Sequence, residues 1–142
     1  MSSDISQVSV RWAGDQVFLG SDPIGHSVVF DSSVEGPGAG IGPMKALLCA
    51  LGACSGMDIV AIMRKRKQKL TSLRIEIEGR RPSSGQPRPF SEIEVKYRLA
   101  GKCLERRLVE EAVGDSIKKY CSVAASVSGK ARIAYSFEML ED

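Results

Sequence analysis

Cys49, Cys54, Cys103 and Cys121 are the residues of this 142-residue chain with a coherent chemistry to offer. A thiolate is a nucleophile that oxidises in reversible steps, whereas a protonated thiol inside a helix is an inert small hydrophobe. The separations of five, forty-nine and eighteen residues contain no C-x-x-C knuckle, which argues against zinc. They do not resemble a secreted disulfide framework either, so reduced thiols in a cytoplasm are expected. The single histidine, His26, has no G-x-S-x-G elbow to serve, which argues against a Ser–His–Asp triad. It reads as a surface or packing residue.

Two of the cysteines lie in residues 42–69, GPMKALLCALGACSGMDIVAIMRKRKQK. Pro43 suits a helix start, where its missing N–H has no partner to lose. Arg64 to Lys67 suit the negative end of the helix dipole. Between them only Lys45, Ser55 and Asp58 interrupt an apolar or small composition, so the helix should be buried nearly all round. A membrane span is the rival, but an ionised Asp58 would cost roughly 2.5–3.5 kcal/mol there. The flanking chain also alternates like ordinary soluble strands, so no membrane association is expected. Gly52 and Gly56 either let a second helix approach closely or let this one pack on the protein's own sheet.

The other elements follow from periodicity. Val8, Val10 and Trp12 alternate with polar residues, and residues 16–19 and 26–30 complete a three-strand meander with tight turns. The glycine-rich loop at residues 32–42 misses both nucleotide-binding patterns: Lys45 lies between Met44 and Ala46, and the G-x-G-x-x-G spacing is absent. Leu73, Ile75 and Ile77, then Ile93, Val95, Tyr97 and Leu99, mark two strands, each with one polar face, as an antiparallel sheet requires. A second, amphipathic helix is expected near residues 104–120, with Leu104, Leu108, Val109, Ala112, Val113, Ile117 and Tyr120 on its dry face. Ile133, Tyr135, Phe137 and Met139 mark the last strand. The order βββ-α-ββ-α-β is an α+β fold, expected as a single domain over residues 1–142. So little sheet cannot wrap an all-apolar helix, which argues for a dimer. The N-terminal MSSDISQV lacks a signal-peptide pattern. A net charge of +3 and scattered basic pairs without interleaved aromatics point away from nucleic acid.

The run from Pro43 to Cys54, with Lys119-Tyr120-Cys121-Ser122-Val123 after the second helix, resembles the OsmC/Ohr family. The names stand for osmotically inducible protein C and organic hydroperoxide resistance protein. The resemblance covers nearly the whole chain. It implies an intertwined homodimer, two long central helices enclosed by sheets of both chains, and a thiol peroxidase that needs no cofactor or metal. It gives Cys54 as the peroxidatic cysteine and Cys121 as the resolving one, with an organic hydroperoxide as substrate and a dithiol as reductant. Cys49 and Cys103 are left as inert. The family's glutamate after the helix-opening proline is Met44 here, and no arginine precedes Pro43 in the loop, where Glu35 is the charged residue. Arg11 and Lys45 are the nearest substitutes, and Asp58, one turn past Cys54, would oppose a thiolate. The resemblance is therefore to an OsmC-like branch with weak peroxidase activity, or to a catalytically weak small-molecule-binding or stress-response dimer.

Overall fold

The computed structural model describes residues 2–32 and 36–141; Glu35 lies outside them. The elements run β1 (Ser9–Trp12), β2 (Val17–Ser21), β3 (Ser27–Asp31), α1 (Pro43–Lys65), β4 (Lys69–Arg80), β5 (Glu92–Lys102), α2 (Arg106–Asp115), a π-helical turn (Ser116–Tyr120), α3 (Ser122–Val127) and β6 (Arg132–Met139). This is the expected α+β order, with the region after the second helix resolved into a π turn and a short helix. The chain divides into two compact units, Met1–Leu47 and Leu48–Asp142.

In the first unit β1, β2 and β3 form an antiparallel meander in that order. Val10, Trp12, Phe18 and Val28 share one face through the pairs Val10↔Gly20, Trp12↔Phe18, Phe18↔Phe30 and Gly20↔Val28. The period-two reading of β1 holds, but its expected burial does not: Val10 is 61 % and Trp12 63 % exposed. The Trp12 indole N–H donates to the Asp15 carbonyl at 2.8 Å, so the ring's polar edge is satisfied while its face is open. His26 is a surface residue, hydrogen-bonded through Nδ1 to Asp22 at 2.7 Å.

In the second unit β5 is the central strand, antiparallel to β4 and parallel to β6. The sheet is therefore mixed rather than antiparallel. A parallel partner needs a long crossover, and α2, the π turn and α3 supply it. Register stacks Ile75, Tyr97 and Phe137 across one face, with Ile77, Val95 and Tyr135 beside them. On the opposite face Arg98 pairs with Glu76 at 3.2 Å and with Glu138 at 3.5 Å, so the polar alternation is a cross-strand ion ladder.

α1 covers β4. Leu51, Gly52, Ser55, Gly56, Ile59 and Met63 are its buried residues, spaced three and four apart as one helical face requires. A Cβ built on Gly52 would lie 2.8 Å from Ile77 Cδ1, and one on Gly56 2.9 Å from Ile75 Cδ1. The two glycines thus serve close packing on the chain's own sheet. All-round burial is not met within one chain: Met57 is 71 % exposed, and Leu47 and Val60 are open as well. α1 is long and apolar enough to cross a membrane by length and composition, but its sheet-facing side is that of a core helix. It ends in a Schellman arrangement, with Gln68 N–H on Met63 O at 2.9 Å and Lys67 N–H on Arg64 O at 3.0 Å. Lys67 takes the left-handed position, φ 58°, usually held by glycine. Gln68 Oε1 then accepts the Glu105 N–H at 2.9 Å, tying the end of α1 to the start of α2.

Candidate functional site: a cysteine pair under a buried tyrosine

Tyr97 organises the site. It follows the apolar phase of β5 and has no exposed surface, so its hydroxyl must find partners inside. It donates to Ser55 Oγ on α1 at 2.8 Å, and Ser116, first residue of the π turn, is within its reach as a second acceptor. Both serines are fully buried. Ser55 Oγ donates to the carbonyl of Leu51 at 3.0 Å, and Ser116 Oγ to that of Val113 at 2.8 Å. The phenol's one proton therefore goes to α1, and Ser116 of the crossover is its alternative acceptor. Burial, first of all, pushes the Tyr97 phenol up to about 12, which keeps it a neutral donor.

Cys54 and Cys121 meet beside this tyrosine. Cys54 is next to Ser55 on α1 and half-buried, whereas Cys121 is 3 % exposed. The two thiols are close enough to act on one another's charge. Cys121 is positioned by the π turn, whose widened bond runs from Cys121 N–H to Ser116 O at 2.8 Å. Such turns insert a residue into helices, frequently at functional sites. The insertion also swings Tyr120 off the expected dry face, leaving it 58 % exposed. Cys121 then caps α3, its sulfur accepting the Ala124 N–H at 3.3 Å. Burial raises the Cys121 thiol to about 11; Cys54 adds to the rise and the Ala124 N–H opposes it. As the structure stands, Cys121 is a thiol rather than a thiolate.

Asp58 Oδ2 is buried without a hydrogen-bond partner, and Asp58 and Cys121 both act on Tyr97 electrostatically. Among the described residues, no Arg, Lys or His hydrogen-bonds or ion-pairs with Cys54, Cys121 or Asp58. Arg11 and Lys45, the expected substitutes, belong to the first unit with exposed side chains. Cys49 and Cys103 are exposed rather than buried: Cys49 lies on the open side of α1, and Cys103 follows β5 with φ 54°. No group of three or more His, Cys, Asp or Glu suited to a metal occurs among the described residues.

Sequence reasoning brought out both cysteines but missed Tyr97, Ser55 and Ser116. Their signal was available: a tyrosine in the buried phase of a central strand needs a partner, and Ser55 is a polar interruption in an otherwise apolar helix.

Comparisons with known proteins agree with this architecture. The OsmC-like protein family matches residues 36–136. Protein YhfA of Escherichia coli (strain K12) is 32 % identical over 136 residues, covering 94 % of this chain and 98 % of its own. A hypothetical protein from Aquifex aeolicus VF5 superposes with a TM-score of 0.87 at 31 % identity, over 99 % of each chain. The organic hydroperoxide resistance protein OhrB of Bacillus subtilis shares the fold, with a TM-score of 0.64 at 16 % identity over 95 % of this chain and 98 % of its own. The chain belongs to the OsmC-like protein family.

Proposed function

We propose that the protein is a cytoplasmic, homodimeric redox protein that reduces organic hydroperoxides slowly through Cys54 and Cys121. The Cys54 thiolate attacks one oxygen of the hydroperoxide and the O–O bond breaks. The other oxygen leaves as an alcohol after protonation, and Cys54 becomes a sulfenic acid. The Cys121 thiol condenses with it, water departs, and a Cys54–Cys121 disulfide remains for a dithiol to reduce. The observation that carries this reading is the proximity of two thiols far apart in sequence, close enough for each to act on the other's charge. The hydroperoxide-resistance name of the B. subtilis structural relative supports it. The uncovered apolar faces of α1 and of the β1–β3 sheet support a second copy as their cover. The proposed cycle calls for no cofactor, metal or nucleic acid.

One observation favours the weaker, binding-protein form of this reading. No cation touches either sulfur among the described residues, and burial holds Cys121 protonated. Turnover should accordingly be slow and rise with pH. Stopped-flow oxidation by cumene hydroperoxide from about pH 6 to about pH 9 tests this, since the attacking species is the thiolate. Cys54→Ser should abolish the reaction, and Cys121→Ser should keep the first oxidation but lose the disulfide. A rate indifferent to Cys54→Ser would leave binding without turnover as the function.

A further inference from the structure

We propose that the cavity beside Cys121 is the port through which a small anionic dithiol reduces the oxidised cysteine pair, attacking the Cys121 sulfur. This rests on the disulfide cycle proposed above. The cavity has a volume of about 490 Å³, and its lining includes Cys121 but not Cys54. That difference sets the chemistry. In thiol–disulfide exchange a thiolate attacks one sulfur and expels the other, and the three sulfurs stand in line. A nucleophile that meets Cys121 on a side not shared with Cys54 is placed to expel Cys54.

Apolar side chains of Ile117, Ala124 and Ile133 wall the cavity, and Lys118, Lys119 and Arg132 supply its charge. Lys118 lies 5.5 Å above the Tyr135 ring. Lys119 pairs with Asp115 at 3.5 Å, and Arg132 reaches Glu92 at 4.0 Å with its side chain 82 % exposed. Three cations against two carboxylates leave the entrance net positive, which draws an anion and repels a cation.

The electron count closes. A reductant thiolate attacks Cys121 Sγ, forming one S–S bond while the Cys54–Cys121 bond breaks, and Cys54 leaves as the thiolate that the next peroxide requires. The reductant's second thiol loses its proton to water and attacks its own sulfur in the mixed disulfide. It becomes a cyclic disulfide, and Cys121 leaves and takes up a proton.

The test uses the intact protein, oxidised with one equivalent of hydroperoxide and mapped for the Cys54–Cys121 disulfide. Reduction is then timed with 2-mercaptoethanesulfonate, 2-mercaptoethanol and cysteamine at equal thiolate concentration and low salt. The anionic thiol should be fastest and the cationic slowest, with a gap of about tenfold that closes as salt screens the entrance. The double variant Lys119→Glu/Arg132→Glu should invert the order. Acid-quenched peptide maps should show the mercaptoethanesulfonate adduct on Cys121. Equal rates for the three thiols, or an adduct on Cys54, would overturn the port while leaving the disulfide cycle intact. A failure to form the disulfide at all would overturn both.

Discussion

The Tyr97 hydroxyl permits a test in which two small losses combine into a large one. Its one proton has two available acceptors, Ser55 in the structure and Ser116 beside it, each of which gives its own proton to a main-chain carbonyl. Ser55→Ala alone lets the hydroxyl turn to Ser116. The loss should be that of one ordinary hydrogen bond, about 0.5–1.5 kcal/mol, offset in part by alanine's helix propensity, worth up to about 0.7 kcal/mol. Ser116→Ala should behave alike. Removing both serines leaves a fully buried hydroxyl without a partner, which adds about 1–3 kcal/mol beyond the sum of the singles. Adding Tyr97→Phe to the double variant deletes the orphaned group and keeps the ring, so most of that excess should return. Urea denaturation under reducing conditions, at one protein concentration and with unchanged m-values, measures all four variants. Strict additivity of the serine substitutions, or a triple variant no more stable than the double, would refute the role of the two serines as alternative acceptors.

Three further outcomes are expected. The open apolar sides of α1 and of the β1–β3 sheet should be covered by a second copy, so light scattering at micromolar concentration should give twice the monomer mass; a stable folded monomer would count against the dimer. Gly52→Leu should cost about 1–3 kcal/mol or more by urea denaturation, because even a Cβ there meets Ile77 Cδ1 at 2.8 Å. The Cys121 thiol titrates near 9.0 unfolded and at about 11 folded. Between those values the folded chain keeps a proton that the unfolded chain has lost. Stability should be full below about pH 9 and fall towards about pH 11, and Cys121→Ala should flatten the lower part of that fall, before Tyr97 begins to contribute.

Most of the fold was legible because period-two and period-3.6 patterns report which residues share a face. Ile75, Tyr97 and Phe137 do share one. What the patterns cannot report is what covers a face. Val10 and Trp12 alternate as buried residues do, yet stand open, and α1 is apolar around its circumference while only one side meets the chain's own sheet. The same limit applied to Gly52 and Gly56, whose spacing suits a helix or a sheet equally well. Parallel pairing of β5 with β6 was hidden because a strand's own alternation is the same in either direction. In the site, both cysteines were found through family resemblance rather than pattern. The π turn was not foreseeable from helical periodicity, since its single inserted residue breaks that periodicity within one turn. Cys49 shows the same limit: it stands among apolar residues in sequence yet is exposed, because an apolar neighbourhood in sequence is not burial in space.

The crossover between β5 and β6 has a consequence for the protein's lifetime. Cys54 precedes both of these strands and Cys121 sits within their connection, so the sulfurs are 67 residues apart along the chain (121 − 54) and adjoin only in the folded state. A bond between them would close a long loop in the unfolded ensemble and remove roughly 4 kcal/mol of its conformational freedom. That corresponds to roughly a thousandfold in the folding equilibrium. Proteolysis that samples the open chain would slow accordingly. Peroxide exposure would then leave a persistent trace, a pool of oxidised protein that outlasts its reduced counterpart until thiols return it to the more perishable form.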